Sequence, residues 1–73
     1  MKRIKELRID NDIKVKDIAR YLNVKYQQYQ KYEKNVTPRL DIFIMLSKFY
    51  NTSIDYIVEL TDNPIPYPRK KER

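Results

Sequence analysis

The chain has 73 residues and a formal net charge of +6, and it contains no cysteine, histidine or glycine. A chain of this length forms one domain that buries only about 60% of its unfolded surface, so it needs a compact helical core. The missing residue types remove thiolate and imidazole metal ligands, the commonest general base, and a glycine-rich phosphate loop. We therefore expect no metal, no cofactor and no enzyme activity.

Charge and hydropathy also limit where the protein works. No apolar run approaches the roughly 20 residues of a membrane span, and the first residues lead into no signal-peptide core. The sequence therefore predicts a soluble, cytoplasmic protein.

Residues 1–40 carry 11 basic and 5 acidic residues, whereas residues 41–66 carry one basic and four acidic residues. This asymmetry indicates an anionic partner that meets one face, either a nucleic acid or a membrane surface.

Five short helices are predicted from the spacing of apolar residues. The clearest is VKDIARYL, where Val15, Ile18, Ala19 and Leu22 recur with the spacing of one helix face. The predicted ranges are 2–10, 15–22, 26–34, 38–50 and 54–60. Three residues separate the second helix from the third, which is the spacing of a helix-turn-helix. The predicted fold class is all-α, a compact five-helix bundle.

Helix ends are predicted from residues that tolerate unusual backbone angles or cap a helix. Asn23, Asn35 and Asn51 follow the second, third and fourth helices, and asparagine is the best substitute for glycine in the left-handed region. Pro38 suits the first position of the fourth helix, and Ser53 suits the N-cap of the fifth.

The fourth helix and the end of the chain complete the predicted layout. Within 38–50 we expect an inward face formed by Leu40, Phe43, Leu46, Phe49 or Tyr50, with Ile44 beside it. Residues 1–62 would form the domain. Residues 63–73 contain Pro64, Pro66 and Pro68 and a basic end, which predicts a flexible or loosely docked tail.

The third helix, within KYQQYQKYEK, contains all three glutamines of the chain. At helical spacing Tyr29 and Tyr32 fall together and are expected in the core, while Tyr26 remains outside. The opposite side carries Gln27, Gln30, Lys31 and Lys34. Glutamine amides match adenine N6 and N7, and lysine donates to guanine, so this face suits the DNA major groove. A solvated helix face is the alternative for any polar stripe of this kind.

Several segments together resemble the Cro/CI-type domain, the lambda-repressor-like or xenobiotic-response-element family. They are Ile4-Lys5-Glu6-Leu7-Arg8, Asp17-Ile18-Ala19-Arg20-Tyr21-Leu22-Asn23-Val24, Tyr32-Glu33, Pro38-Arg39-Leu40 and Asn51-Thr52-Ser53-Ile54-Asp55-Tyr56-Ile57. The resemblance covers about residues 2–62 without an insertion. It implies a five-helix DNA-binding domain, a transcriptional repressor, and a homodimer on a two-fold operator.

The resemblance also implies roles for individual residues. Tyr26, Gln27 and Lys31 match base-reading positions, and Gln30 lies beside them. Arg8 and Glu33 match a structural salt bridge between the first and third helices. Phosphate contacts are expected from residues at the edges of the helix-turn-helix, namely Lys14, Lys16, Lys25, Lys34, Asn35 and Arg39.

The sequence departs from the family pattern at three places. Lys14 and Val15 occupy positions where serine or threonine followed by glutamine is usual. Lys25 replaces a common serine before the third helix, so that helix is predicted to begin without a side-chain acceptor. Glu59 replaces a frequent glycine after the fifth helix, which leaves the end of that helix open.

Two questions about partners also remain open from the sequence. A dimer contact is expected around Ile57, Val58 and Leu60, although these residues are equally suited to packing on the first helix. An antitoxin-like protein-interaction module is the alternative function, using the acidic second half and the proline-rich tail. Binding to a membrane surface is less favoured, because Tyr26 alone provides a large apolar group beside the lysines of the third helix.

Overall fold

The computed structural model describes residues 1–66, which form five α-helices and no strand. The helices are Lys2–Asp10 (α1), Val15–Leu22 (α2), Tyr26–Lys34 (α3), Leu40–Tyr50 (α4) and Ile54–Ile57 (α5). The first three have the ranges predicted from the sequence. The all-α fold with a helix-turn-helix formed by α2 and α3 is confirmed.

The helices pack around one core. α1 contacts α3 and α5, α2 contacts α3 and α4, and α4 contacts α5. Each helix contributes apolar side chains that are at most 7% exposed, which are Ile4, Ile18, Ala19, Leu22, Tyr29, Tyr32, Ile42, Phe43, Leu46 and Ile57. The two core tyrosines meet edge to face, with ring centroids 6.4 Å apart. As a result α3 is anchored by aromatic rings on its inner side, while its polar side stays free.

Four helices are followed, within two residues, by a residue with left-handed backbone angles. These residues are Asp12, Asn23, Asn51 and Glu59, with φ between 51° and 65°. The same two backbone hydrogen bonds form at each of these ends. After α5, for example, the Glu59 amide donates to the Tyr56 carbonyl and the Leu60 amide donates to the Asp55 carbonyl. These two hydrogen bonds form the Schellman motif, in which the left-handed residue is usually glycine. Asn23 and Asn51 were predicted correctly.

The prediction for Asn35 was wrong. Its φ is −141°, and its amide and that of Val36 both donate to the Lys31 carbonyl. The residues with positive φ are elsewhere in the chain, so α3 ends without a left-handed residue. The predicted list also lacked Asp12, because aspartate tolerates the left-handed region less obviously than asparagine does.

The predicted start and inward face of α4 need correction. Arg39 is the N-cap with extended angles, and the helix begins at Leu40 rather than at Pro38. Pro38 is buried and lies outside the helix, in the segment that joins α3 to α4. Leu40 is 67% exposed and Ile44 is also exposed, whereas the buried face includes Ile42, Phe43 and Leu46.

The predicted end of α5 was too late. The helix ends at Ile57, because the positive φ of Glu59 turns the chain away. Ser53 caps its start as predicted, since its hydroxyl accepts from the Tyr56 amide at 3.0 Å. Ile57 is fully buried, so packing within the domain accounts for this residue, and it cannot belong to a dimer contact.

The segment after α5 is attached to the domain in two places. Arg3 lies over the Tyr56 ring at 4.0 Å and pairs with Asp62 at 3.5 Å. The Thr52 hydroxyl donates to the Pro64 carbonyl at 2.6 Å. The predicted tail therefore begins in contact with the domain, and its remaining part, residues 67–73, lies outside the described residues.

Candidate nucleic-acid interface

The outward side of α3 is polar and accessible. Tyr26 is 48% exposed, and Gln27, Lys31 and Lys34 are exposed as well. Gln30 is half-buried between this face and α1. These five side chains lie on one side of the helix, because Tyr29 and Tyr32 take up the other side.

The start of α3 is less firmly held than its end. Lys25 precedes the helix in an extended conformation, and its side chain makes no capping hydrogen bond. α2 likewise begins after Lys14 without a side-chain cap. Both helix starts therefore lack the acceptor that serine or threonine would supply, as the sequence predicted for α3. In each case a lysine lies beside free backbone amides, so both starts carry positive charge.

A buried ion pair fixes the end of α3 against α1. The Arg8 Nε donates to Glu33 Oε2 at 2.6 Å, and Nη2 donates to Oε1 at 3.4 Å. The third nitrogen, Nη1, donates to the Ile13 carbonyl at 3.1 Å, which ties in the loop before α2. The hydrogen bond to Glu33 raises the pKa of Arg8. The pair expected between Arg8 and Glu33 is thus present, with side chains only 17% and 10% exposed.

Two tyrosine hydroxyls lie near this ion pair. Tyr29 and Tyr50 each bury a hydroxyl that has no hydrogen-bond partner among residues 1–66. Burial raises the pKa of Tyr29 well above its usual value and that of Tyr50 to about 12. The neighbouring Glu33 carboxylate also raises the pKa of both hydroxyls. The support behind α3 is therefore both aromatic and ionic.

The residues expected to contact phosphates are all exposed. They are Lys14, Lys16, Lys25, Lys34, Asn35 and Arg39. Arg39 pairs with Asp41 at 3.4 Å, but both side chains are more than half exposed. A pair so accessible to water contributes little to stability and leaves the guanidinium available to another anion.

Two grooves flank α3 and contain residues that the sequence reading missed. The first, about 230 Å³, is lined by Lys5, Arg8, Val15, Gln30, Glu33 and Lys34. The second lies on the opposite flank and is lined by Val24, Gln28, Tyr32, Val36, Thr37 and Arg39. Lys5 was not predicted as a site residue, although it precedes Arg8 by three residues, a spacing that places both on one face of α1. Gln28 lines the second groove and is half-buried there.

Other kinds of site find no support among residues 1–66. No group of acidic side chains there is arranged to hold a metal ion. None of the helices in this part of the chain is long and apolar enough to span a membrane.

Comparison with known proteins identifies the family. A sequence model described as helix-turn-helix matches residues 4–57, which extend from α1 to the last residue of α5. The chain belongs to the Cro/CI-type helix-turn-helix family. No solved structure matches the chain.

A curated relative of this helix-turn-helix domain comes from Bacillus subtilis (strain 168). It is named an uncharacterized HTH-type transcriptional regulator, YobD, and is 31% identical over 70 residues. The match covers 94% of this chain but only 62% of the relative's length. The similarity therefore covers nearly all of this chain and only part of that protein.

Proposed function

We propose that this protein is a sequence-specific DNA-binding transcription regulator that acts as a repressor. In this proposal α3 lies in the major groove and α2 crosses the DNA backbone, the arrangement common to helix-turn-helix domains. The observation that carries it is the outward face of α3, which presents Tyr26, Gln27 and Lys31 to solvent from a rigid support. The role is binding, and no catalytic step is proposed.

The side chains of this face suit base recognition. A Gln27 or Gln30 amide has a donor and an acceptor that match adenine N6 and N7, and Lys31 can donate to guanine O6 or N7. Tyr26, half exposed at the start of α3, can contact a thymine methyl group or a neighbouring base edge. The ion pair between Arg8 and Glu33 holds α3 against α1, so that these side chains keep one orientation.

Backbone contacts would position this reading face. The six exposed candidates, Lys14, Lys16, Lys25, Lys34, Asn35 and Arg39, surround the helix-turn-helix. Contacts of this kind supply most of the salt-dependent affinity, while the base contacts supply discrimination.

A substitution at Gln27 tests the base-reading role. Gln27→Ala should cost about 1–3 kcal/mol of binding free energy on the preferred duplex and much less on random DNA. Gln28→Ala is the matched control, because Gln28 is half-buried on the flank of the same helix. Equal losses on both kinds of DNA would show that Gln27 does not read bases.

We also propose that the protein acts as a homodimer in the cytoplasm. Ile57 is buried, but Val58 is only partly buried and Leu60 is 77% exposed, so the contact would use the latter two residues. Two α3 helices would then lie about 34 Å apart and read half-sites about ten base pairs apart. Sedimentation equilibrium of the wild type and of Leu60→Asp tests this contact. A dimer that Leu60→Asp does not weaken would place the contact elsewhere.

A second candidate is a protein-interaction module that keeps this fold. It is favoured by three apolar side chains of the second half that are at least 67% exposed, Leu40, Leu60 and Ile65. Side chains that expose this much apolar surface are stabilised when another protein covers them. A stable complex with a second protein species, together with no salt-dependent binding to DNA, would favour this candidate over the regulator.

A further inference from the structure

The groove between α1 and α3 is lined by basic side chains from both helices. Lys5 comes from α1 and Lys34 from the last turn of α3, and both are exposed. Gln30 forms part of the wall between them. The volume of about 230 Å³ greatly exceeds the roughly 30 Å³ that one water molecule occupies, so the groove has room for a polyatomic anion.

The charge of this groove is not neutralised internally. Its lining contains three basic residues and one acidic residue, a net charge of +2. The acidic residue, Glu33, is held by two hydrogen bonds from Arg8 at 2.6 and 3.4 Å. The carboxylate is therefore satisfied within the domain, and Lys5 and Lys34 are the two cations of the groove that face solvent.

We propose that Lys5 and Lys34 hold one phosphate of the DNA backbone between them, which makes α1 part of the DNA-binding surface. This inference rests on the proposed function and extends it to a helix outside the helix-turn-helix. The two lysines come from different helices and line the same groove, and each ammonium group provides up to three donors. Because such hydrogen bonds involve two ionised partners, they are stronger than neutral ones.

The position of Gln30 connects this phosphate to base recognition. Gln30 lies on the groove wall, while Tyr26 and Gln27 lie nearer the start of the same helix. A phosphate held between Lys5 and Lys34 would therefore adjoin the base pair within reach of Gln30. The contact fixes the end of α3 on the backbone, whereas the lysines at the helix starts, Lys14 and Lys25, would fix the other end.

The test uses the full chain and its preferred duplex, in which single phosphates are replaced one at a time by neutral methylphosphonates. The wild type should lose affinity at each contacted phosphate. In Lys5→Gln and in Lys34→Gln, the loss at one and the same phosphate should be smaller than in the wild type, while the losses at the other phosphates remain. Lys48→Gln is the matched control, because Lys48 is an exposed lysine of α4 that lies outside the groove.

Salt dependence gives a second measure. Each neutralised phosphate contributes about 0.9 to the slope of log affinity against log salt. The fall in affinity between about 50 and 200 mM salt should therefore be about 3.5-fold smaller for the double variant Lys5→Gln/Lys34→Gln than for the wild type, because one whole phosphate contact is lost. Lys48→Gln should keep the wild-type slope.

Each outcome decides between the alternatives. An unchanged phosphate pattern in Lys5→Gln would overturn the inference, and so would reduced sensitivity at two different phosphates in the two variants. Free inorganic phosphate should restore neither the wild-type phosphate pattern nor the wild-type salt slope in the variants. If free phosphate without DNA protected Lys5 from chemical modification, the groove would instead be a site for small anions. Absence of any preferred duplex for the wild type would contradict the proposed function itself, before any phosphate is replaced.

Discussion

Replacing Glu33 by glutamine should destabilise the domain far more than the loss of any surface charge. The side chain keeps its shape, but Arg8 remains 83% buried with a charge that no carboxylate balances. Breaking a buried pair costs about 3–5 kcal/mol, and the remaining amide oxygen still accepts one hydrogen bond, so we expect about 3 kcal/mol. A domain of this length has only about 4–11 kcal/mol of total stability.

Urea denaturation and thermal unfolding measure this effect. A loss of about 3 kcal/mol should lower Tm by about 12–24 °C in a domain of this size. Glu6→Gln is the matched control, because Glu6 also pairs with an arginine of α1, Arg3, but is 45% exposed. Its loss should cost less than about 1 kcal/mol. In a third variant both Arg8 and Glu33 become methionine, which should recover most of the stability lost in Glu33→Gln.

The reasoning would be refuted if Glu33→Gln cost no more than Glu6→Gln. That result would mean that water screens the inner pair as effectively as the outer one. The position of α3 would then depend on its aromatic anchors alone.

Three further predictions concern helix ends and buried hydroxyls. Lys25→Ser should raise the free energy of unfolding by about 1 kcal/mol in urea denaturation, because it supplies the missing cap of α3, and should weaken DNA binding. Glu59→Gly should stabilise by about 1 kcal/mol, because Glu59 has a φ of 65°, whereas Lys48→Gly within α4 should destabilise by a similar amount. The free energy of unfolding should fall as the pH rises from about 10 to about 12. Tyrosine ionises near the lower value in the unfolded chain, and Tyr50 ionises near the upper value in the folded chain. Replacing Tyr29 and Tyr50 by phenylalanine should flatten this decline. An unchanged pH profile, or glycine effects of equal sign, would contradict these expectations.

The sequence was informative where local chemistry determines the structure. The apolar spacing of VKDIARYL is strong enough to define α2, and the family resemblance leads directly to the ion pair of Arg8 and Glu33. Ser53 was correctly predicted as a cap because its hydroxyl needs only a backbone amide three residues later. Each of these features depends on residues close in sequence or on a pattern shared by the family.

Features that depend on tertiary packing could not be predicted in the same way. Pro38 is compatible with a first helical position, but it is buried outside the helix, and Arg39 takes extended angles before the helix begins at Leu40. Leu40 and Ile44 fit a helical stripe as well as Ile42 does, and only the placement of α4 on its neighbours decides which residues are buried. Lys5 became a candidate only when α1 was seen to share a groove with Gln30.

The central claim is that the outward face of α3 reads DNA sequence, and selection from a random pool of duplexes tests it most directly. The selection is performed at about 150 mM salt with the wild type and with Gln27→Ala in parallel. We expect the wild type to enrich one motif, and Gln27→Ala to lose the preference at one base position within it while retaining the rest. Retention of bound duplexes without any shared motif, with affinity that depends on salt alone, would contradict the claim and leave α3 as a charged surface.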